Sequence, residues 1–224
     1  VFQIGLIGYT NAGKSTIINR LTDAATLEED KLFATLDPLT RKLTLPNQFQ
    51  ATITDTVGFI QDLPTQLIHA FHSTLEESRN MDVFLHVVDA STSFIDQHEK
   101  TVLALLKDLD MDKTPMLTIY NKRDLASPDF QPRLFPNIVI SALEDDDINL
   151  LKDFIWDEIA KMLVPYTKDI DASGPEARTM NKMQQETFVE SIEYIEETNA
   201  YRLRGFAKTN SKWLGDKVTD ASDE

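Results

Sequence analysis

Residues 8–15 read Gly-Tyr-Thr-Asn-Ala-Gly-Lys-Ser, and this octet decides the fold. An apolar run precedes it at residues 1–7 and predicts a strand, and residues 15–21 follow with the pattern of a helix. Gly8 and Gly13 permit a tight turn whose backbone N–H groups converge on one point. Together with the positive end of the following helix, such a turn predicts a phosphate-binding loop.

The composition is typical of a globular chain with an acidic surface. The 224 residues, 42% of them hydrophobic and 26% charged, suffice for one α/β domain of about 160 residues and a small appendage. A net charge of −15 disfavours a nucleic-acid-binding surface on charge alone. There is no cysteine, which excludes disulfides and thiolate metal sites and fits the cytoplasm. We expect neither a signal peptide nor a membrane partner.

Strand and helix signals alternate over residues 1–165. Strands are predicted at residues 1–7, 41–45, 49–55, 83–88, 116–120 and 138–140, and helices at residues 15–21, 64–79, 97–109 and 148–163. The second and third strands flank a Pro46-Asn47 turn and predict a hairpin. This order indicates an α/β fold of the P-loop type, with a mostly parallel sheet, one antiparallel strand and helices on both faces.

Residues 166–224 are predicted to form a linker and a small C-terminal α+β extension. Residues 167–180 are rich in Asp, Ser, Gly and Pro and are typical of a linker. Residues 188–196 and 201–207 bracket Thr198-Asn199 and predict a second hairpin. A helix is the alternative for the first of these two segments.

A second motif, Asp55-Thr-Val-Gly58, follows the third predicted strand. Its carboxylate can hold Mg²⁺ through water, and the Gly58 N–H can reach a γ-phosphate. In the phosphate loop, Lys14 can reach the β- and γ-phosphates, and the Ser15 hydroxyl can coordinate Mg²⁺. A D-x-x-G tetrapeptide is uninformative alone. Its place at the end of an apolar strand, about 40 residues after the phosphate loop, makes it a strong signal.

A third motif, Asn121-Lys-Arg-Asp124, follows the strand predicted at residues 116–120. The Asp124 carboxylate can accept hydrogen bonds from N1–H and N2–H₂ of guanine. Adenine has no donor on that edge and would leave the carboxylate unpaired, so the motif predicts selection of guanine. Lys122 can lay its stem over the loop or over the base, and Ser141-Ala142 can present a backbone N–H to the guanine oxygen.

A hydroxyl between the first helix and the hairpin can complete the magnesium site. Thr35 lies in the segment Phe33-Ala-Thr-Leu-Asp-Pro38 and can coordinate Mg²⁺ only when the γ-phosphate is present. That dependence would make this loop an order–disorder switch. Thr40 is an alternative, and the spacing does not choose between the two.

Taken together, these motifs resemble those of the regulatory GTPases, and more closely those of the HflX branch of the Obg-like GTPases. The closer likeness rests on the octet, on Lys31-Leu-Phe-Ala-Thr-Leu-Asp-Pro38, on Asp55-Thr-Val-Gly-Phe-Ile60 with Asp62-Leu-Pro64, and on His86-Val-Val-Asp-Ala-Ser91. It covers residues 1–165 well and residues 166–210 loosely. The resemblance implies GTP and GDP as ligands, slow Mg²⁺-dependent hydrolysis, and splitting or rescue of ribosomes through the large ribosomal subunit.

The resemblance also implies an N-terminal domain that this chain lacks, and we expect a cytoplasmic monomer. It assigns catalysis to Lys14, Thr35 and Gly58, and Mg²⁺ coordination to Ser15, Thr35 and Asp55. Contacts to the nucleotide are assigned to residues of all the motifs, namely Gly8, Tyr9, Thr10, Asn11, Ala12, Gly13, Lys14, Ser15, Thr16, Asp55, Gly58, Asn121, Lys122, Asp124, Ser141, Ala142 and Leu143.

Two positions bear on hydrolysis. Phe59 stands where many GTPases carry a glutamine that orients the attacking water, so hydrolysis awaits a partner or uses another group. In related GTPases an asparagine at the place of Asn11 helps to hold K⁺ beside the phosphates. The alternative is that Asn11 is a turn residue that tolerates an unusual backbone conformation.

Other functions remain open on the sequence alone. The main alternative is a nucleotide-gated binding switch with another cellular partner, in which hydrolysis only resets the state. An ATPase or a small-molecule kinase is disfavoured by Asp124. The net charge opposes binding to RNA, although Arg202, Arg204, Lys208 and Lys212 could form a basic spot on the C-terminal hairpin, or merely a solvated strand face.

Overall fold

The computed structural model describes residues 1–9, 11–22, 39–55, 80–173 and 177–215. The chain divides into two compact units, residues 2–155 and residues 156–224, the second of which includes Val1. The helix predicted at residues 64–79 lies outside the described residues. Within them, no helix combines the length and the apolar character that a membrane crossing requires.

The larger unit contains a six-stranded sheet with the strand order β2-β3-β1-β4-β5-β6. The strands are β1 (Phe2–Gly8), β2 (Leu39–Leu45), β3 (Phe49–Asp55), β4 (Val83–Asp89), β5 (Met116–Asn121) and β6 (Asn137–Val139). The helices that follow β1, β4 and β6 are α1 (Lys14–Leu21), α2 (Ile95–Asp108) and α3 (Asp145–Met162). β2 pairs with β3 in antiparallel fashion, and the other neighbours are parallel. The predicted α/β fold and its first hairpin are confirmed.

The burial of β4 shows that the sheet is covered on both faces. All six residues from Val83 to Val88 are buried, as expected for the central strand of a parallel sheet. Phe84 packs against Val102 and Leu106 of α2. Because side chains alternate along a strand, Leu85, which is also fully buried, points to the opposite face.

The register of the parallel strands brings the sequence motifs to one edge of the sheet. β1, β3, β4 and β5 run in the same direction and end at Gly8, Asp55, Asp89 and Asn121. Asp89 lies directly opposite Asn121. Ligands of open α/β sheets bind outside the carboxyl ends of the strands, so this edge is where a site is expected.

The described residues of the smaller unit include a three-stranded antiparallel sheet and a helix that packs with it. Its strands, in the order β7-β9-β8, are β7 (Leu163–Asp171), β9 (Ala200–Lys208) and β8 (Phe188–Ile195), and its helix is α4 (Ala177–Glu186). The core of this unit joins Ile170, Met183 and Leu203 from β7, α4 and β9. The predicted second hairpin is confirmed, and its first arm is a strand rather than the alternative helix.

The linker predicted at residues 167–180 is wrong over most of its length. β7 extends to Asp171 and α4 begins at Ala177, while residues 174–176 lie outside the described residues. The polar residues of β7 suggested a linker, but each of them has a place in the sheet. Lys168 lies over the Trp213 ring, 5.3 Å from its centroid, and Asp169 pairs with Arg202 at 2.8 Å.

The two units divide after Ile155, inside α3, whereas the sequence placed the boundary at residue 165. The rings of Trp156 and Phe206 meet edge to face, with 5.9 Å between their centroids. Phe188 contacts Trp156 in the same way at 6.1 Å. These aromatic contacts explain why the part of α3 from Trp156 onwards belongs to the smaller unit.

His86 is a core residue of β4 whose hydrogen bonding is incomplete. The residue is 1% exposed, and its Nδ1 has no hydrogen-bond partner within the described part of the chain. Burial lowers the pKa of His86 to about 4, because the imidazolium ion would have to form away from water.

Lowering the pH should therefore destabilise the fold through His86. The unfolded chain protonates this histidine near pH 6.5, but the folded protein does so only near pH 4. The contribution to stability is therefore complete above pH 6.5 and is lost as the pH falls through this window. We expect His86 to account for a loss of about 3 kcal/mol in the free energy of unfolding between pH 7 and pH 4, measured by urea unfolding.

The control variant for this measurement is His86→Leu. Between pH 7 and pH 4, the free energy of unfolding of this variant should fall by about 3 kcal/mol less than that of the wild type. At pH 8 its stability should be close to that of the wild type, because a side chain of similar volume replaces an imidazole with an unpaired Nδ1. Parallel pH curves for the two chains would contradict the assignment.

Candidate nucleotide-binding site

The loop between β1 and α1 has the tight curl that the octet predicts. Among its described residues, the backbone enters the left-handed region at Asn11 with φ 62° and at Gly13 with φ 102°. A Cβ atom at Gly13 would overlap the side-chain nitrogen of Asn121, and one at Gly8 would lie 2.6 Å from the Val87 carbonyl oxygen. Both glycines are therefore required by close approach, and Gly13 also by its backbone conformation.

Two buried atoms of charged side chains beside this loop have no hydrogen-bond partner in the part of the chain that the structure describes. The Nζ of Lys14 and the Oδ1 of Asp55 are both buried and make no hydrogen bond with any residue that the structure describes. Burial lowers the pKa of Lys14, and the nearby Asp55 carboxylate opposes this shift. Groups of this kind are costly unless a ligand satisfies them.

The unsatisfied groups fit a nucleotide phosphate chain and Mg²⁺. A phosphate oxygen would satisfy the Lys14 ammonium, and a hydrated magnesium ion would satisfy the Asp55 carboxylate. Ser15 is exposed at the start of α1, so its hydroxyl is available as an oxygen ligand. The donor set therefore suits a hard cation that binds oxygen.

Asn121 joins the phosphate loop to the loop that follows β6. Its amide nitrogen donates to the Ala12 carbonyl at 3.1 Å, and its amide oxygen accepts from the Ala142 N–H at 2.9 Å. The residue is 3% exposed. One side chain therefore fixes the positions of two loops that the sheet itself does not hold.

Lys122 also contacts the phosphate loop. Its Nζ donates to the Asn11 carbonyl at 2.8 Å and to the Asp89 carboxylate at 2.9 Å. Of the two arrangements open on the sequence, over the loop or over the base, this conformation shows the first. The exposed Asn11 side chain is not needed for the contact, because the backbone carbonyl makes it.

Asp124 lies in a single 3₁₀ turn, Arg123–Leu125, immediately after Lys122, and is exposed. The backbone N–H of Arg123 donates to the Ile140 carbonyl at 3.0 Å, which ties this turn to the end of β6. The carboxylate that the sequence assigns to guanine recognition is thus open to solvent on an anchored turn.

The amides of Ser141 and Ala142 are already hydrogen-bonded. The Ser141 N–H donates to Asp147 at 2.6 Å, and the Ala142 N–H donates to Asn121. Leu143, in contrast, is 73% exposed. A base that contacts this loop must therefore share the Ala142 amide or use the next one along the chain.

The structure brings most of the predicted residues to the same edge of the sheet. Thr16 is half-buried in α1, while Thr10, Thr35, Gly58 and Phe59 lie outside the described residues. Thr40 is part of β2, where its hydroxyl pairs across the hairpin with the Thr54 hydroxyl at 2.9 Å. Its engagement in the strand pair favours Thr35 over Thr40 as the magnesium ligand.

Sequence reasoning missed three residues at the site. Asp89 and Asp147 hold Lys122 and Ser141 in place, and His98 stacks on Tyr9 of the octet with 3.8 Å between ring centroids. A carboxylate at the end of β4 could have been noticed from its position next to the motifs. His98 carries no such signal, since its partner Tyr9 lies far away in the sequence, and Asp147 is one of three consecutive aspartates that the sequence does not distinguish.

Comparisons with known proteins agree with this geometry. The sequence profile described as "50S ribosome-binding GTPase" matches residues 3–122. A GTPase HflX of Alkalihalophilus pseudofirmus is 46% identical over 210 residues, which is 93% of this chain and 49% of the relative. The GTPase HflX of Escherichia coli is 42% identical over 131 residues, 58% of this chain and 30% of the relative. The chain thus spans about half the length of the relatives it matches, or less.

Solved structures give the same result at the level of the fold. A GTP-binding protein from Sulfolobus solfataricus in complex with GDP has a TM-score of 0.56 at 27% identity, over 71% of this chain and 53% of that one. The FeoB G-domain of Methanococcus jannaschii has a TM-score of 0.51 at 21% identity, over 71% and 97% of the two chains, and shows the fold alone. The profile match, the relatives and the P-loop geometry agree, and the chain belongs to the family of 50S ribosome-binding GTPases, as one of the HflX type.

Proposed function

We propose that this chain binds GTP and GDP and slowly hydrolyses GTP with Mg²⁺, as the nucleotide-dependent part of a protein that acts on the large ribosomal subunit in ribosome splitting or rescue. The observation that supports the nucleotide part is a pair of buried atoms behind a phosphate loop, Lys14 Nζ and Asp55 Oδ1, which have no hydrogen-bond partner among the described residues. The ribosomal part rests on the family and on the names of the relatives.

The phosphates occupy the curl of the octet. Lys14 would contact the β- and γ-phosphates, and the Gly58 N–H would meet the γ-phosphate. Ser15 and Thr35 would coordinate Mg²⁺, and Asp55 would hold it through water; a bound ion would supply positive charge that neutralises the phosphate oxygens. Because the ammonium of Lys14 is already desolvated, its attraction to phosphate is weakly screened by water.

Asp124 selects the base. Its carboxylate accepts two hydrogen bonds from guanine, and adenine would leave it unpaired. The guanine oxygen meets the Ala142 amide, shared with Asn121, or the Leu143 amide beyond it. The Ser141 amide is held by Asp147 and is not available for this contact.

Hydrolysis without a partner is slow, since no glutamine follows Gly58 to orient water. A rate on the order of 10⁻³ per second or below is expected for such a GTPase. A potassium ion at Asn11 is the group that would stand in for a catalytic cation. The left-handed backbone of Asn11 also agrees with its alternative role as a turn residue.

The ribosome must be recognised without a large basic surface on this chain. Cations of the suggested basic spot are engaged in ion pairs: Arg202 donates two hydrogen bonds of 2.8 Å to Asp169, and Lys212 lies 2.8 Å from Glu186. With a net charge of −15, the chain should repel phosphate backbones. Parts of the full-length protein that this chain does not span therefore supply most of the affinity for the ribosome.

The acidic surface also keeps open a nucleotide-gated switch with another cellular partner, in which hydrolysis only resets the state. Turnover of the full-length protein with and without large ribosomal subunits separates the two functions. Marked acceleration by large subunits supports the ribosomal role, and an unchanged rate supports the switch.

Guanine selection is tested by Asp124→Asn. The wild type should bind GTP and GDP at least about a hundredfold more tightly than ATP, because adenine leaves the carboxylate unpaired. The variant should lose this preference and gain affinity for xanthine nucleotides, whose donor and acceptor pattern is inverted at that edge. Displacement of fluorescent GDP by each nucleotide measures both effects, and equal displacement by ATP and GTP from the wild type would reject the assignment.

A potassium requirement is tested by replacing KCl with NaCl at constant ionic strength. If K⁺ binds beside Asn11, turnover should slow by about tenfold or more, because a cation that stabilises charge in the transition state is lost. Asn11→Gly is the matched variant, since glycine adopts the φ of 62° without strain. The variant should still bind GDP, and its rate of GTP hydrolysis should be the same in both salts. An equal hydrolysis rate of the wild type in KCl and NaCl would refute the potassium site.

The division of labour on the ribosome is tested by pelleting. This chain alone should bind large subunits weakly or undetectably at physiological salt, because like charges repel. The full-length protein should bind more tightly with a non-hydrolysable GTP analogue than with GDP. Tight binding by the chain alone, whatever the nucleotide, would overturn the proposal.

A further inference from the structure

Asp89 ends β4 and lies beside the phosphate loop without belonging to any of the nucleotide motifs. Its carboxylate accepts three hydrogen bonds, from the Ser91 N–H at 2.8 Å, from the Ser91 hydroxyl at 2.6 Å and from the Lys122 ammonium at 2.9 Å. Burial alone would raise the pKa of Asp89, but the donors of Ser91 and Lys122 outweigh it and hold the pKa below its ordinary value. The side chain is therefore a carboxylate at neutral pH.

The Lys122 ammonium makes a second contact, to the Asn11 carbonyl at 2.8 Å. Asn11 is a point at which the phosphate loop adopts a left-handed backbone. A continuous line of hydrogen bonds thus runs from Ser91 through Asp89 and Lys122 to the loop. The side chain of Lys122 is 32% exposed and that of Asp89 only 17%, so the carboxylate is the more buried of the two partners.

We propose that Asp89 is a positioning residue for nucleotide binding. It holds the Lys122 ammonium against the Asn11 carbonyl and so keeps the phosphate loop in the conformation that binds phosphates. A lysine has a flexible four-carbon stem and a point charge with three donors. A single carbonyl oxygen would leave that stem free to turn towards water. A carboxylate held by Ser91 removes this freedom before the ligand arrives, which lowers the ordering cost of binding.

The inference rests on the proposed occupation of the loop by guanine nucleotides. It differs from the role proposed for Asp124, because Asp89 is bonded to Ser91 and Lys122 and should not affect the choice among bases. It also differs from a general effect on folding, because its influence passes through one side chain, Lys122. Both differences can be measured.

The test is the affinity and dissociation rate of fluorescent GDP for the 224-residue chain and for Asp89→Asn. The variant should bind GDP about tenfold more weakly, mainly through faster dissociation, because it exchanges a charge-assisted hydrogen bond for a neutral one. The ratio of GDP to ADP affinity should stay as in the wild type. Lys122→Met should weaken binding as well, and Asp89→Asn should add almost nothing in that background.

Asp96→Asn is the matched control, since it removes a carboxylate from the first turn of α2 whose partner is the Arg133 side chain rather than Lys122. It should leave GDP binding unchanged. Thermal unfolding without nucleotide shows whether each variant is folded. If Asp89→Asn does not fold, Ser91→Ala takes its place, with a smaller loss that again disappears in the Lys122→Met background.

Two results would overturn the inference. One is unchanged GDP binding by a folded Asp89→Asn chain. The other is a loss of affinity on Asp89→Asn that is as large in the Lys122→Met background as in the wild type. Failure of the wild type to bind GDP at all would instead reject the proposed function, so the two failures are distinguishable.

Discussion

Asn121 is 3% exposed, and its single amide group spans the Ala12 carbonyl on one side and the Ala142 N–H on the other. An aspartate at this position would lack the donor, and a leucine would lack both groups. The same amide nitrogen occupies the space that a Cβ atom at Gly13 would need. The asparagine at the end of β5 and the glycine of the phosphate loop are therefore parts of one constraint, although 107 residues separate them in the sequence.

Charges at the site are divided into those that are paired and those that are open. Asp89 pairs with Lys122, and Asp147 pairs with Arg123, so these groups contribute to architecture. Lys14 and Asp55 are left with buried atoms that have no partner in the described residues. Such groups destabilise the free protein. A ligand that supplies the missing hydrogen bonds removes this destabilisation, so nucleotide binding should stabilise the fold.

The alternation of elements in the larger unit could be predicted because its central strands are uniformly apolar and its helices carry one apolar face. The positions of the motifs then followed, since the parallel strands all end at one edge of the sheet. β7 could not be predicted in the same way. Its Lys168 and Asp169 resemble linker residues until Trp213 and Arg202, more than thirty positions away, are known to pack against them.

The candidate site shows the same limit. Residues that belong to short motifs at regular spacing could be assigned a role from their chemistry. Asp147, in contrast, is one of three consecutive aspartates, a pattern that suggests a solvated loop. It is 4% exposed, because the Ser141 N–H and the Arg123 side chain converge on it. A run of like charges does not reveal which member is buried, since that depends on partners that only the fold brings together.

The residue proposed to recognise the base is distinct from the residues that fix the conformation of the phosphate loop. Asp124 is exposed on a short turn that is anchored through its neighbour Arg123, so a change of its side chain need not disturb the fold. Asn121 and Lys122, three and two positions before Asp124, donate hydrogen bonds to backbone carbonyls of the phosphate loop and cannot be changed so freely. On the proposed function, residues 121–124 at one strand end carry both roles, and selectivity for the base can then vary without loss of the phosphate site.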